Sequence, residues 1–239
     1  MKLFFCFVLS VGFLKTSSQT LIVAVRQNEE LYVGADSRVG SLGANSVNTF
    51  DTVTKIIPFG KYYLAFAGYI NMSLPHLAKQ IPISSSLYST VSGFSILWKD
   101  YLRSEINKFR LEDRLPYVTN FSSVKNGEIL FFGFENDKIV CYGLYATCVN
   151  AMNEPADIKI TIDSLSKVDE NRIYILMHGH SGAVSSLGRA YITEYGFIKG
   201  IQKLICKQSE ATPTIVSAPI DIIHLKANKV EIYRFEKCD

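Results

Sequence analysis

What the 239-residue sequence lacks removes several classes of function before any motif is considered. It has no hydrophobic run near the roughly 20 residues of a membrane-spanning helix. Its most apolar stretch, Leu3 to Leu14, has twelve, so no stable membrane insertion is expected. Charge blocks are missing too. The 25 basic and 22 acidic residues are spread along the chain for a net charge of +3, without the clustered basic face of a nucleic-acid binder. No CxxC or Cys/His cluster suggests zinc. Glycine and proline, 15 and 7 residues, are too few for a collagen-like or low-complexity chain. No repeat and no Pro/Gly/Ser-rich linker divides the sequence. What is there, 48% hydrophobic and 12% aromatic residues, suffices for one large core.

Composition shifts at one place. Met1-Lys2, the apolar Leu3–Leu14 and the polar Lys15–Gln19 have the three-part layout of a secretory signal peptide. The expected division is a leader at 1–19 and one domain at 20–239, exported from the cytoplasm. Removing Lys2 and Lys15 takes the formal charge from +3 to +1. Cys6 leaves with the leader, and Cys141, Cys148, Cys206 and Cys238 remain, an even number for an oxidising compartment. Two disulfides are allowed, and spacing selects none of the three pairings. Asn71 and Asn120 head glycosylation sequons.

Past residue 19 the chain reads as short β-rich runs around polar turns. Residues 20–25 pair with 31–35, 54–57 with 62–66, 129–132 with 139–144, and 220–225 with 230–235. Hairpins imply antiparallel sheets. Leu87, Val91, Phe94, Trp98, Tyr101 or Leu102, Ile106 and Phe109 recur at helical spacing, with Ser84–Ser86 as caps. A second helix is predicted from Leu187 to Ile205, where Gly196 and Gly200 would admit another helix closely. The fold class is therefore α+β, two stacked antiparallel sheets between helical layers.

Thr20 opens the first strand. Were it the first residue of the mature chain, its hydroxyl would be a nucleophile and its own α-amine the general base. That amine, with a pKa of about 7.7–8.0, supplies free base near neutral pH. A nearby lysine favours the neutral amine by like-charge repulsion, and a carboxylate holds the lysine. Asp36-Ser37-Arg38 and Lys55 supply these groups at two neighbouring strand ends.

Thr20–Val25, Val33-Gly-Ala-Asp-Ser-Arg38, Thr52-Val-Thr-Lys55 and Ala65-Phe-Ala-Gly68 resemble the proteasome β-subunit family of N-terminal nucleophile (Ntn) hydrolases. Ser217 to Leu225 and the final hairpin look like that family's strand after its last long helix. The resemblance implies a four-layer αββα sandwich and a threonine-type peptidase or amide hydrolase. It makes Thr20 the nucleophile, Lys55 the charge that tunes the amine, Asp36 the lysine's orienting partner and Arg38 a brace. Gly68 would donate its N–H to the oxyanion, and Gly40 would bond a peptide laid in as a strand. Val39, Val53, Phe66 and Ile70 align with the pocket for the residue before the cut, which predicts uncharged P1 residues of small or medium size. The resemblance also implies a peptide or protein substrate, self-association as a homo-oligomer or ring, and no cofactor.

Departures from the pattern are specific. Gln19 precedes Thr20 where the family has glycine, and signal-peptidase preference for small residues fits Thr16 and Ser18, leaving Gln19 at the new terminus. The family's late supporting carboxylate has no match in Glu210–Val216. Ser181 is the candidate supporting serine, and residues 149–172 look inserted. Two rival readings stand beside the threonine hydrolase. Gly179-His-Ser-Gly-Ala183, after a strand and before a helix, approximates a nucleophile elbow with Ser181 as nucleophile, although only His224 follows it and Asp221 lies close before that histidine. Alternatively the scaffold is kept without activity, as a structural or binding member. His178 and His180 could share one side of a strand as metal ligands, but no third ligand lies near.

Overall fold

The computed structural model describes residues 20–42, 48–68, 74–112, 125–149, 157–165, 172–179, 181–213 and 216–238. The leader, Cys6, both sequons, Ile70 and His180 lie outside them. Among the described residues, twelve strands form two five-stranded antiparallel sheets and one two-stranded ribbon. In the first sheet β10 (Tyr174–Gly179), β1 (Leu21–Gln27), β2 (Glu30–Asp36), β11 (Ile220–Lys226) and β12 (Lys229–Phe235) lie in that order. The second sheet runs β5 (Ile56–Phe59), β6 (Tyr62–Gly68), β7 (Lys125–Glu135), β8 (Lys138–Cys148), β9 (Ile158–Ser164). The ribbon pairs β3 (Arg38–Leu42) with β4 (Asn48–Thr52). With four helices among the described residues, the architecture is an α+β sandwich.

All four expected hairpins form, each around a two-residue turn. Asn136 and Asp137 have φ of 49° and 62°, and Ala227 and Asn228 have 46° and 61°, the left-handed pair that matches strand twist in a tight hairpin. These turns fix the register that everything else inherits. Strand β1 is apolar without alternation because both of its faces are covered. Ile22 and Ala24 join Ala65, Ala67, Leu130 and Phe132 of the second sheet in one buried cluster. Leu21, Val23 and Val25 join another with Ile201, Leu204 and Ile205. A third cluster packs Leu64, Ile129 and Phe131 against α1 (Leu74–Lys79) and α2 (Leu87–Glu112). Helix α2 carries the expected apolar stripe, and Ser86 Oγ accepts the Ser89 N–H at its start.

Two expectations need correction. The predicted helix from Leu187 to Ile205 is two, α3 (Gly188–Tyr195) and α4 (Phe197–Ala211). Gly196, at φ 75°, breaks the run. Gly200 does permit a close helix approach, and the partner is α3: a Cβ there would stand 2.9 Å from the Ile192 Cδ1 and from the Tyr191 carbonyl oxygen. Two disulfides reduce to one, Cys206–Cys238, which ties α4 to the tail after β12. Cys141 and Cys148 sit on β8 an odd number of residues apart, in different cores, so they cannot bridge each other. The stretch that looks inserted, 149–172, contains β9. Among the described residues no helix is long and apolar enough to cross a membrane.

The Gly200 contact makes a direct test. Gly200→Val forces side-chain atoms into the α3 backbone, and overpacking of this kind costs about 1–3 kcal/mol. Urea unfolding should show that loss; an unchanged midpoint would mean the two helices do not touch there.

Candidate active site

The turn Asn28-Glu29 sets Ile22 opposite Ala35, so the start of β1 and the end of β2 come together. Asp36 Oδ1 accepts the Leu21 N–H at 2.9 Å. Its Oδ2 lies 3.4 Å from the Ser217 nitrogen, which donates to it from the segment leading into β11. The carboxylate is fully buried, and a buried carboxylate is tolerable only with donors and a cation near it. Lys55 supplies the cation.

Lys55 belongs to the other sheet. It immediately precedes β5, and the Phe66 N–H donates to its carbonyl at 3.3 Å, extending the β5–β6 ladder by one residue. Its side chain, 1% exposed, crosses to the first sheet, where Nζ donates a hydrogen bond to Thr20 Oγ1. Thr20 is itself 1% exposed. Burial pushes the Lys55 pKa down, and Asp36 pulls it partly back. An ammonium here would stabilise negative charge developing on Oγ1; the free amine, which burial favours, could take the hydroxyl proton.

Behind this trio stands a second set that the sequence did not announce. The Ser37 N–H donates to the Pro219 carbonyl at 2.9 Å, and the Val53 N–H to the Ser37 carbonyl at 2.7 Å. Ser37 Oγ donates to Asp221 Oδ2, and Arg234 Nη1 to Asp221 Oδ1, both at 3.1 Å. Ser37 lies in the Asp36-Ser37-Arg38 run and Ser217 and Asp221 in the Ser217–Leu225 stretch, but the sequence gives none of them a role, because each meets the site through strand pairing between segments about 180 residues apart.

The remaining expected residues fall around the same end of the molecule. Arg38, Val39 and Gly40 lie on β3, their backbones paired with Thr52, Asp51 and Phe50. Val53 is half-buried where the ribbon returns to Lys55. Gly68 closes β6 opposite Gly127. Phe66 is half-buried on the face of the second sheet that carries α1 and α2. Gly179 ends β10 against the Thr20 carbonyl, and with φ at 77° and a Cβ position only 1.8 Å from that oxygen it must be glycine. Ser181, two residues on, accepts the Val184 and Ser185 N–H groups at its carbonyl. It lines a cavity of about 380 Å³ with Ile175, Met177 and Arg189.

The elbow reading of Ser181 does not fit this topology. An elbow of that type needs a central parallel strand feeding a helix, whereas β10 is an antiparallel edge strand. His224 is also committed elsewhere, with Glu231 at 3.1 Å on one ring nitrogen and Glu30 at 3.0 Å on the other. No group of three metal-ligating side chains occurs among the described residues. Glu210, in the stretch where a late carboxylate was sought, is exposed and paired with Lys207 at 2.7 Å.

No protein-family model and no curated protein matches the chain. Solved structures do. One of them is a mutant of Anbu from Hyphomicrobium sp. strain MC1, 12% identical, with a TM-score of 0.51, covering 92% of this chain and 88% of that one. At this identity the likeness concerns the fold alone, which is proteasome-like and of the Ntn-hydrolase kind.

Lys55 carries a pH signature. Between its lowered folded pKa and about 10.4 for an unfolded lysine, the unfolded chain holds a proton that the folded one lacks. Stability contributed by this group therefore rises with pH across that interval. Lys55→Met has no such rise. Thermal melts from about pH 8 to 10 should show the wild type gaining on the variant as pH increases; a constant gap between them contradicts the buried placement.

Proposed function

We propose that the protein is an exported threonine-type peptidase or amide hydrolase, built as a four-layer αββα Ntn hydrolase. The observation that carries this reading is the bond from buried Lys55, on one sheet, to the hydroxyl of Thr20, on the other, with Asp36 beneath both. A packed core gains nothing from an ammonium in that place, whereas a nucleophile does.

Once the bond between Gln19 and Thr20 is cut, the Thr20 nitrogen becomes an amine. Thr20 Oγ1 then attacks the substrate carbonyl carbon while the amine takes the hydroxyl proton. The Gly68 N–H receives the oxyanion. The ammonium returns its proton to the leaving nitrogen as the C–N bond breaks, leaving an ester on Oγ1. Water, losing a proton to the same amine, attacks the ester and restores the hydroxyl. Lys55 keeps the amine neutral, Asp36 holds Lys55, and Arg38 and Ser181 brace the set. The substrate backbone pairs as a strand with Gly40, and its uncharged P1 side chain enters the pocket of Val39, Val53, Phe66 and Ile70. The Cys206–Cys238 bridge supports export to an oxidising compartment, and self-association follows the family resemblance.

N-terminal sequencing of the secreted chain tests the first step, and Thr20 is the expected first residue. A mature chain that begins at Gln19 or earlier sinks the threonine mechanism. With a fluorogenic peptide of uncharged P1, Thr20→Ala should lower kcat by at least about a thousandfold. Loss only with Ser181→Ala would move the nucleophile to Ser181, and silence of a correctly processed chain would leave a scaffold or binding role.

A further inference from the structure

We propose that Glu128 is a positioning residue for the Thr20 nucleophile, acting through the backbone of Gly179; the proposal rests on the reading of Thr20 given above. Glu128 lies near the start of β7, paired with Ala67 and one residue from the Gly127–Gly68 pair. Only 7% of it is exposed. Its Oε2 accepts the Gly179 N–H, and its Oε1 lies 3.6 Å from His178 Nδ1. His178 is 1% exposed, and its ring is stacked on Tyr145 with centroids 5.2 Å apart.

The geometry leads from this carboxylate to the reacting group in two steps. Glu128 belongs to the second sheet and Gly179 to the first, so their bond is a tie between sheets. Gly179 is pressed against Thr20: a Cβ on it would stand 1.8 Å from the Thr20 carbonyl oxygen and 2.9 Å from the Ala67 Cβ. Fixing Gly179 therefore fixes the Thr20 main chain relative to Ala67 and the adjoining Gly68. That relation matters because nucleophile and oxyanion donor come from different sheets. Slippage of one sheet end by about 1 Å can cost a hundredfold in rate. The Lys55–Thr20 bond restrains the side chain, and the Glu128–Gly179 bond restrains the backbone.

Stability calls for an acceptor to the Gly179 N–H here, but not for a charge. The neighbouring contact between the sheets is apolar, through Ala67 and Leu130, and an apolar side chain of similar size would avoid burying a charge. His178, whose ring nitrogens make no hydrogen bond among the described residues, stands with Nδ1 3.6 Å from Oε1, too far to fix the carboxylate's direction. The Gly179 N–H, by contrast, donates directly to Oε2.

The test uses the processed full chain, a fluorogenic tri-alanine coumarin amide, and acylation of Thr20 by a peptidyl β-lactone read as intact mass. Glu128→Gln keeps an acceptor oxygen in place, Glu128→Asp withdraws it by one methylene, and Glu128→Leu removes it. The expected result is a fall in kcat and acylation rate of about tenfold or more for the Asp and Leu variants, with KM within about twofold, and at most about a threefold fall for Gln. Should the Leu variant not fold, the contrast between Asp and Gln decides. Wild-type kcat in the Asp variant, equal impairment of Asp and Gln, or a change confined to KM overturns the proposal. Thr20→Ala, run in parallel, separates the two readings. Activity surviving in it removes the nucleophile and this proposal together; activity lost in it but intact in the Glu128 variants removes the proposal alone.

Discussion

A lysine ammonium 1% exposed is the constraint on which the rest of this structure turns. Lys55 starts in one sheet and ends at a hydroxyl of the other, so the two sheets must meet at a fixed offset at that end. Asp36 must be buried to face it, and the buried carboxylate then needs the Leu21 and Ser217 N–H groups. Holding Ser217 and Ser37 in place calls on Pro219, Asp221 and Arg234. Each polar group is there because the one before it could not otherwise be buried.

The hairpins explain why this end was available. The turns at 28–29, 60–61, 136–137 and 227–228 all lie at the opposite end of their sheets, since Leu21, Asp36, Gly179, Ile220, Gly68 and Gly127 stand at the far end from them in register. Tight turns leave little room for a site. The site end is where strands enter and leave by longer connections, such as the β3–β4 ribbon that carries the chain from Asp36 to Lys55.

Thr20, Asp36 and Lys55 were legible in the sequence because each lies next to a strand whose apolar run is easy to read and whose turn sets the register. The helical stripe of α2 was legible for the same reason, a long and consistent period. The break at Gly196 was not, since Leu187 to Ile205 keeps helical spacing straight through it and only the folding of α4 back onto α3 requires the stop. Strand β9 was legible too, since Ile158, Ile160 and Ile162 alternate with Lys159, Thr161 and Asp163 and turn to the core at the edge of the second sheet. Glu128 was invisible in principle. It sits beside the apolar run of β7 like any strand-end charge, and only the packing of the two sheets brings it to Gly179.

Burial separates this set from the other ionic cluster of the protein. At the turn end, His224 bridges Glu30 and Glu231, and Lys226 pairs with Glu30 at 2.5 Å. There Glu231 and Lys226 have side chains 54% and 59% exposed, so water screens the charges and their contribution to stability is small. At the site end, Thr20, Asp36, Ser37, Lys55, Glu128, His178 and Asp221 are all buried. They are seven of the twelve buried polar or charged residues among those described. Similar groups with opposite exposure imply different uses. A surface latch can be assembled from any charges within reach, whereas a desolvated set costs stability unless nearly every donor and acceptor is met. The same desolvation that makes it costly also strengthens each of its fields, and Thr20 Oγ1, which accepts the Lys55 hydrogen bond, lies within that desolvated set.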